Sequence, residues 1–194
     1  MEIIESIVVI IASLVAVWGI IRWRLEEKWK RKYELAEEIL ASIYEFEQNV
    51  DYMRLGISTK EEVSDRVRQE NETPEISRAL DQAFIIRTRF NKNKEAYDKL
   101  RSLRFRFMAV YGKDHGKHIL DFITIVNKVF SATDEFIWLS AGEFDYDPEY
   151  KRERLKEIRK ILYSSSKEDP IKKELGEKIA ALERICRTII DKNF

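Results

Sequence analysis

Cysteine occurs once, at Cys186, so the chain holds no internal disulfide framework, and such usage fits a reducing compartment. Proline occurs three times and glycine six, and long stretches contain neither, which argues against a turn-rich sheet protein and for long helices. Net charge is zero, with 35 Lys and Arg against 35 Asp and Glu, so no bulk field draws the chain to nucleic acid. Several catalytic signatures are also missing. There is no Gly-rich phosphate loop and no Gly-x-Ser-x-Gly elbow, and no Glu-x-x-His pair of the kind diiron bundles use.

What is present begins with a run free of charge from Ser6 to Ile21, extended past Glu5 by Ile3 and Ile4. As a helix, Ile3 to Trp23 is roughly 31 Å long at 1.5 Å per residue, close to the hydrocarbon thickness of a bilayer. It is apolar on every side, which a surface helix is not. A cleaved signal peptide wants a basic start and small residues before the cut, whereas here Glu2 and Glu5 precede the run and Trp18, Arg22, Trp23 and Arg24 end it. Arg22, Arg24, Lys28, Lys30, Arg31 and Lys32 follow the run against Glu26 and Glu27, and basic flanks stay cytoplasmic. The expectation is a single span in the lipid bilayer, N-terminus outside and C-terminal domain cytoplasmic. Arg22, Trp23, Arg24, Lys28 and Trp29 would anchor it at the interface, where basic side chains meet anionic headgroups.

No Gly or Pro lies between Arg22 and Leu55, so the span is expected to continue into a stalk helix. Trp29, Tyr33, Ala36, Leu40, Ile43 and Val50 recur at steps of three and four, widened by Ile39 and Phe46, which is a bundle-facing or coiled-coil-like stripe. Gly56 is a natural stop. Residues 56–73 read as a flexible connector, with Ser58 and Glu61 as a capping box for a short helix. Thr73-Pro74-Glu75 is a strong helix start, and the helix is expected to run to Tyr111 with Asn91 and Asn93 as weak points. After a loop at 112–116, a helix from His118 to Ser140 carries the most apolar face of this region. A loop at 142–146 precedes Asp147-Pro148, which starts a helix to Tyr163. Ser164 to Ser166 break that helix, and Asp169-Pro170 starts the last one.

Three constellations could carry chemistry. Asp114, His118 and Asp121 could share a helix face and hold a divalent metal, but Gly116 interrupts the segment and the plainer reading is a helix start. Cys186 lies on an apolar stripe with Ile185 and Ile189 and reads as a core thiol. The stretch from Arg87 to Arg106 is basic and aromatic. Arg87, Lys94 and Arg101 are seven apart, as are Lys92, Lys99 and Arg106, while Arg89 and Arg104 add to the charge. Arg87, Lys94, Arg101 and Arg104 are the candidate patch for an anionic partner, set against solvated flanks neutralised by acidic helices such as 33–51. The neutral chain favours the flanks, and with them argues against nucleic acid as a partner.

Lys-Tyr-Glu-Leu-Ala-Glu-Glu-Ile-Leu at 32–40, Asn-Glu-Thr-Pro-Glu at 71–75 and Lys-Leu-Arg-Ser-Leu-Arg-Phe-Arg-Phe-Met-Ala at 99–109 resemble an uncharacterised bacterial family of single-span membrane proteins with a helical cytoplasmic domain. The resemblance spans most of the chain, implies no activity, and implies a bacterial inner membrane as its home.

Together these readings predict an all-α protein: an anchor at 1–24, a stalk helix at 25–55 packed on the bundle, a connector at 56–73 and an antiparallel helical bundle at 74–194. The expected function is a membrane-anchored interaction or adaptor protein, binding a protein partner or itself, with no cofactor and no catalytic residue. The alternatives are a sensor of anionic lipid or nucleic acid on the basic helix, or a metal-dependent enzyme using dispersed residues such as Asp114, His118 and Asp121.

Overall fold

The computed structural model describes residues 2–142, 146–164 and 168–191, apart from the side chains of Glu2 and Glu5. The expected loop at 142–146 lies outside the described residues at 143–145, and the expected break at 164–166 does so at 165 and 166. The described residues are all-α: α1 (Glu2–Met53), α2 (Pro74–Lys92), α3 (Lys94–Tyr111), α4 (Gly116–Ala141), α5 (Pro148–Leu162) and α6 (Pro170–Asp191).

Helix α1 has 52 residues, roughly 78 Å at 1.5 Å per residue, and its two halves live in different surroundings. The apolar side chains from Ile3 to Leu25 are all exposed. This is a helix long and apolar enough to cross a membrane by length and composition. From Leu35 onward the stripe turns inward, and Leu35, Ala36, Ile39, Ile43, Phe46, Val50 and Met53 are buried in the core. The stalk is therefore also a wall of the bundle, packed against α2, α3 and α6. Helix α4 is the other central element. It touches α2, α3, α5 and α6 and buries Ile119, Phe122, Ile125, Val126 and Val129. Phe46 of α1 meets Phe122 of α4 edge to face at 5.8 Å. At a typical 1.5–3 kcal/mol for each large apolar side chain sealed from water, this shared core outweighs any surface ion pair.

All three prolines occupy the first turn of a helix, where their missing N–H costs nothing. Thr73 accepts a hydrogen bond from the Ile76 N–H, and Asp147 accepts from the N–H groups of Glu149 and Tyr150. Asp169 accepts from the Lys172 N–H. These are the caps that the sequence pattern predicts.

Three expectations change. The helix expected from Pro74 to Tyr111 breaks in two at Asn93, whose backbone leaves the helical region (φ −117°, ψ 20°) while its side-chain amide donates to the Arg89 carbonyl. The break puts Arg87 on one helix and Lys94 and Arg101 on another, so their seven-residue spacing does not describe one continuous row. Gly116 does not interrupt: it opens α4 two residues earlier than expected and lies buried against α3. A Cβ there would fall 2.3 Å from Met108 Cγ, so glycine is what lets the two helices approach.

The third change is the position of the cap within residues 56–73, a segment that also makes polar contacts at several points. The capping contact falls at Thr59, whose N–H donates to Glu62, and not at Ser58 and Glu61. Arg66 forks both Glu72 oxygens at 2.7 and 2.9 Å and also reaches Asp81 on α2. That fork holds the Glu72 carboxyl down at about 2.

Candidate functional site

Two arginines dominate the polar structure: the sequence reading counted Arg89 in the basic stretch, outside both rows and the four patch residues, and did not single out Arg54. Arg89, on α2, is 2% exposed. Its guanidinium donates to both oxygens of Glu62 at 2.7 and 2.8 Å and to the carbonyls of Leu55 and Ile57 at 2.7 and 2.6 Å. It also lies 5.3 Å from the centre of the Tyr52 ring. Arg89 thereby supplies donors to the chain leaving α1 and pins the connector to α2. The Glu62 carboxyl is held below its ordinary range by this bond.

Arg54 is the counterpart at the same end of α1, fully buried. Its Nε donates to the Ile161 carbonyl at 2.7 Å, and Nη2 donates to Asp169 at 2.6 Å and to the Lys160 carbonyl at 3.3 Å. The Arg54 carbonyl accepts from the Ser164 N–H at 2.9 Å. One side chain thus satisfies the open carbonyls at the end of α5 and grips the cap of α6. Both arginines continue an apolar stripe: Arg89 follows Ile86 by three, and Arg54 follows Val50 by four. An arginine on the inward face of a helix was the signal available in the sequence, because a buried cation demands a dedicated partner.

The four patch residues are spread over α2 and α3, and each has a contact within the chain. Arg87 donates to Asp134 on α4 at 2.5 Å, and Lys94 is 3.9 Å from Asp98. Arg101 lies over the Tyr97 ring at 5.8 Å and Arg104 over the Phe105 ring at 5.7 Å. Arg106 donates to Glu38 of α1 at 2.7 Å, an instance of the expected neutralisation by the acidic stalk.

The residues expected as interface anchors form a collar where α1 enters the bundle. Arg22 lies 5.3 Å from the Trp18 ring centre, Trp23, Arg24 and Lys28 are exposed, and half-buried Trp29 packs against Tyr33 at 5.3 Å. The end of α3 docks on this collar. The Tyr111 hydroxyl donates to the Lys32 carbonyl at 2.7 Å, and the Lys32 ammonium lies 5.8 Å from the Tyr111 ring centre. Burial pushes the Tyr111 hydroxyl up to about 12, with the nearby Cys186 thiol adding to the shift.

Asp121, one of the candidate metal ligands, is 3.3 Å from Lys178 of α6. Burial lowers the His118 imidazole below its ordinary value. His115 instead stacks edge to face on Phe107 at 5.7 Å. Among the described residues no group of three or more His, Cys, Asp or Glu side chains is placed to hold a metal ion.

Cys186 is fully buried in the core, as its stripe predicts, and burial pushes its thiol up to about 12. A thiol reagent at pH 8 is expected to modify it only after denaturation, because the thiolate is suppressed and the sulfur is covered. The folded-state value lies above the unfolded one, so the stability this group contributes is complete below about pH 9 and is lost as pH rises from there towards 12. Thermal unfolding against pH, compared with a Cys186→Ala variant, checks the sign: the alkaline decline should be shallower in the variant.

No family model matches the chain, no curated protein matches it and no solved structure matches it.

Proposed function

We propose that the chain is a single-span membrane-anchored helical interaction protein, with residues 2–5 outside and the bundle in the cytoplasm. The observation that carries this is the continuity of α1, which passes from a wholly exposed apolar half, through a basic and tryptophan collar, into the core of the bundle with no break. An exposed apolar helix of this length is costly in water and stable in hydrocarbon. The collar charges favour the cytoplasmic side. The resemblance to bacterial single-span proteins supports an inner membrane, and it rests on the three quoted segments alone.

An adaptor role, with no catalysis, is supported by where the polar groups go. The arginines with the most partners, Arg54, Arg66 and Arg89, are committed to carboxylates and to the open ends of helices. Meanwhile Ile57 and Val67, on the connector, present apolar side chains to solvent, Val67 at 88% exposure. Exposed apolar side chains of this kind are what a partner surface uses.

The test uses the full chain in its host membrane. It should resist carbonate extraction, run uncut at 23.1 kDa, and carry a reporter after Phe194 that is active only in the cytoplasm. Cross-linking in the membrane should give a discrete adduct that Ile57→Glu with Val67→Glu abolishes. Recovery in the soluble fraction, a shortened chain or an external reporter signal overturns the anchor. An adduct insensitive to the double variant overturns the assigned surface.

A further inference from the structure

We infer that the collar holds a built site for one anionic phospholipid, in the groove between α1 and the end of α3. The inference deepens the membrane-anchored reading and rests on it. The groove, of about 440 Å³, is lined by Leu25, Lys28, Trp29, Arg31, Lys32 and Val110. Its floor is apolar and its rim carries three cations, and no carboxylate lines it. Arg31 is the only one of the three with an acidic partner within 4 Å among the described residues, Glu27 at 3.2 Å on the exposed surface. A phosphodiester suits such a rim, and an acyl chain suits such a floor.

Depth selects a lipid over a free anion. Trp23 to Lys28 is a rise of roughly 7.5 Å at 1.5 Å per residue, and the headgroup layer is roughly 5–8 Å deep on each side of the hydrocarbon. With Trp23 at the edge of the hydrocarbon, Lys28 lies at the level of the phosphates, while Arg31 and Lys32, roughly 12 and 13.5 Å along the helix from Trp23, extend their long side chains back towards that level. A free phosphate would gain nothing from Leu25 and Val110.

The site is more than a polybasic run, because α3 completes it. Val110 and Tyr111 arrive from the far end of another helix and are fixed there by the hydrogen bond from the Tyr111 hydroxyl to the Lys32 carbonyl. A bound lipid would therefore hold α3 as well as α1 at the membrane surface and set the angle at which the bundle leaves it.

The experiment takes the purified, delipidated full chain and reads lipid adducts by native mass spectrometry with phosphatidylglycerol or phosphatidylcholine added. The expected result is about tenfold more retention of the anionic lipid, a modest share of what three surface cations supply. Val110→Trp fills the groove without touching a charge, and Lys28→Gln with Lys32→Gln removes charge without closing the groove. Each should bring the preference within about twofold while membrane fractionation and helical circular dichroism stay as in the parent chain. No preference in the parent chain overturns the site. So does a preference that survives Val110→Trp, which would assign the effect to the basic run of α1 alone, or a protein dimer that lipid does not displace. A membrane-bound chain with no preference sinks the site and leaves the anchor standing, whereas a soluble parent chain sinks both.

Discussion

Arg89→Ala is expected to destabilise the bundle by about 3–5 kcal/mol, the usual cost of removing one partner from a buried ion pair. The loss is large because of what remains behind. Glu62 keeps its charge with its partner gone, and the carbonyls of Leu55 and Ile57 lose donors at 2.7 and 2.6 Å. In a domain of this size the melting temperature should fall by roughly 6–20 °C, read on the full chain in detergent. Arg89→Lys keeps the charge but not the fork, since an ammonium cannot serve Glu62 and two carbonyls in one plane, so it should lie between parent and alanine variant. Adding Glu62→Leu to Arg89→Met should recover part of the loss, because no orphaned carboxylate is then left, though the two carbonyls stay unserved. A loss below about 1 kcal/mol in Arg89→Ala would mean that the side chain behaves as an exposed ion-pair partner.

Arg89 marks the boundary between what was legible in the sequence and what was not. Helix starts were legible because each is written in two or three adjacent residues, as at Thr73-Pro74 and Asp147-Pro148. The core was legible because the stripes of α1 and α4 repeat at helical spacing and have no other use. The pairing of charges was not, because an arginine looks the same whether its partner is water or a carboxylate brought from 27 residues away, as Glu62 is to Arg89. The break at Asn93 was half legible: asparagine weakens a helix, but only the Arg89 carbonyl waiting for its amide turns weakness into a terminus. Gly116 was misread for a related reason. Glycine in a sequence signals either freedom or closeness, and only Met108 lying against it shows that closeness is its use here. The groove beneath the collar could not be read at all, since Val110 is 85 residues from Leu25 and nothing local ties them.

Replacing both Ile10 and Leu14 by Arg is expected to move the chain from the membrane to the soluble fraction or to inclusion bodies, whereas either replacement alone should leave it inserted. The arithmetic of insertion decides between these outcomes. The ten Val, Ile and Leu residues between Ser6 and Ile21 favour the bilayer by about 0.3–0.6 kcal/mol each, or about 3–6 kcal/mol in all. One arginine near the helix centre costs about 2.5–3.5 kcal/mol and removes one favourable residue, which leaves the balance near or beyond zero on the favourable side. Two cost about 5–7 kcal/mol against about 2–5 kcal/mol remaining, and the sign reverses. The two positions are one turn apart on the same face, so neither arginine can reach a headgroup layer without dragging the other inward. Because the side chains of Ile10 and Leu14 are exposed, away from the core, the double variant should keep the parent's core and its helical signal, and its melting transition should match the parent's. Unchanged carbonate-resistant fractionation of the double variant would mean that something other than the apolar helix holds the protein at the membrane. A collapsed melting transition would mean that the first half of α1 packs on protein after all.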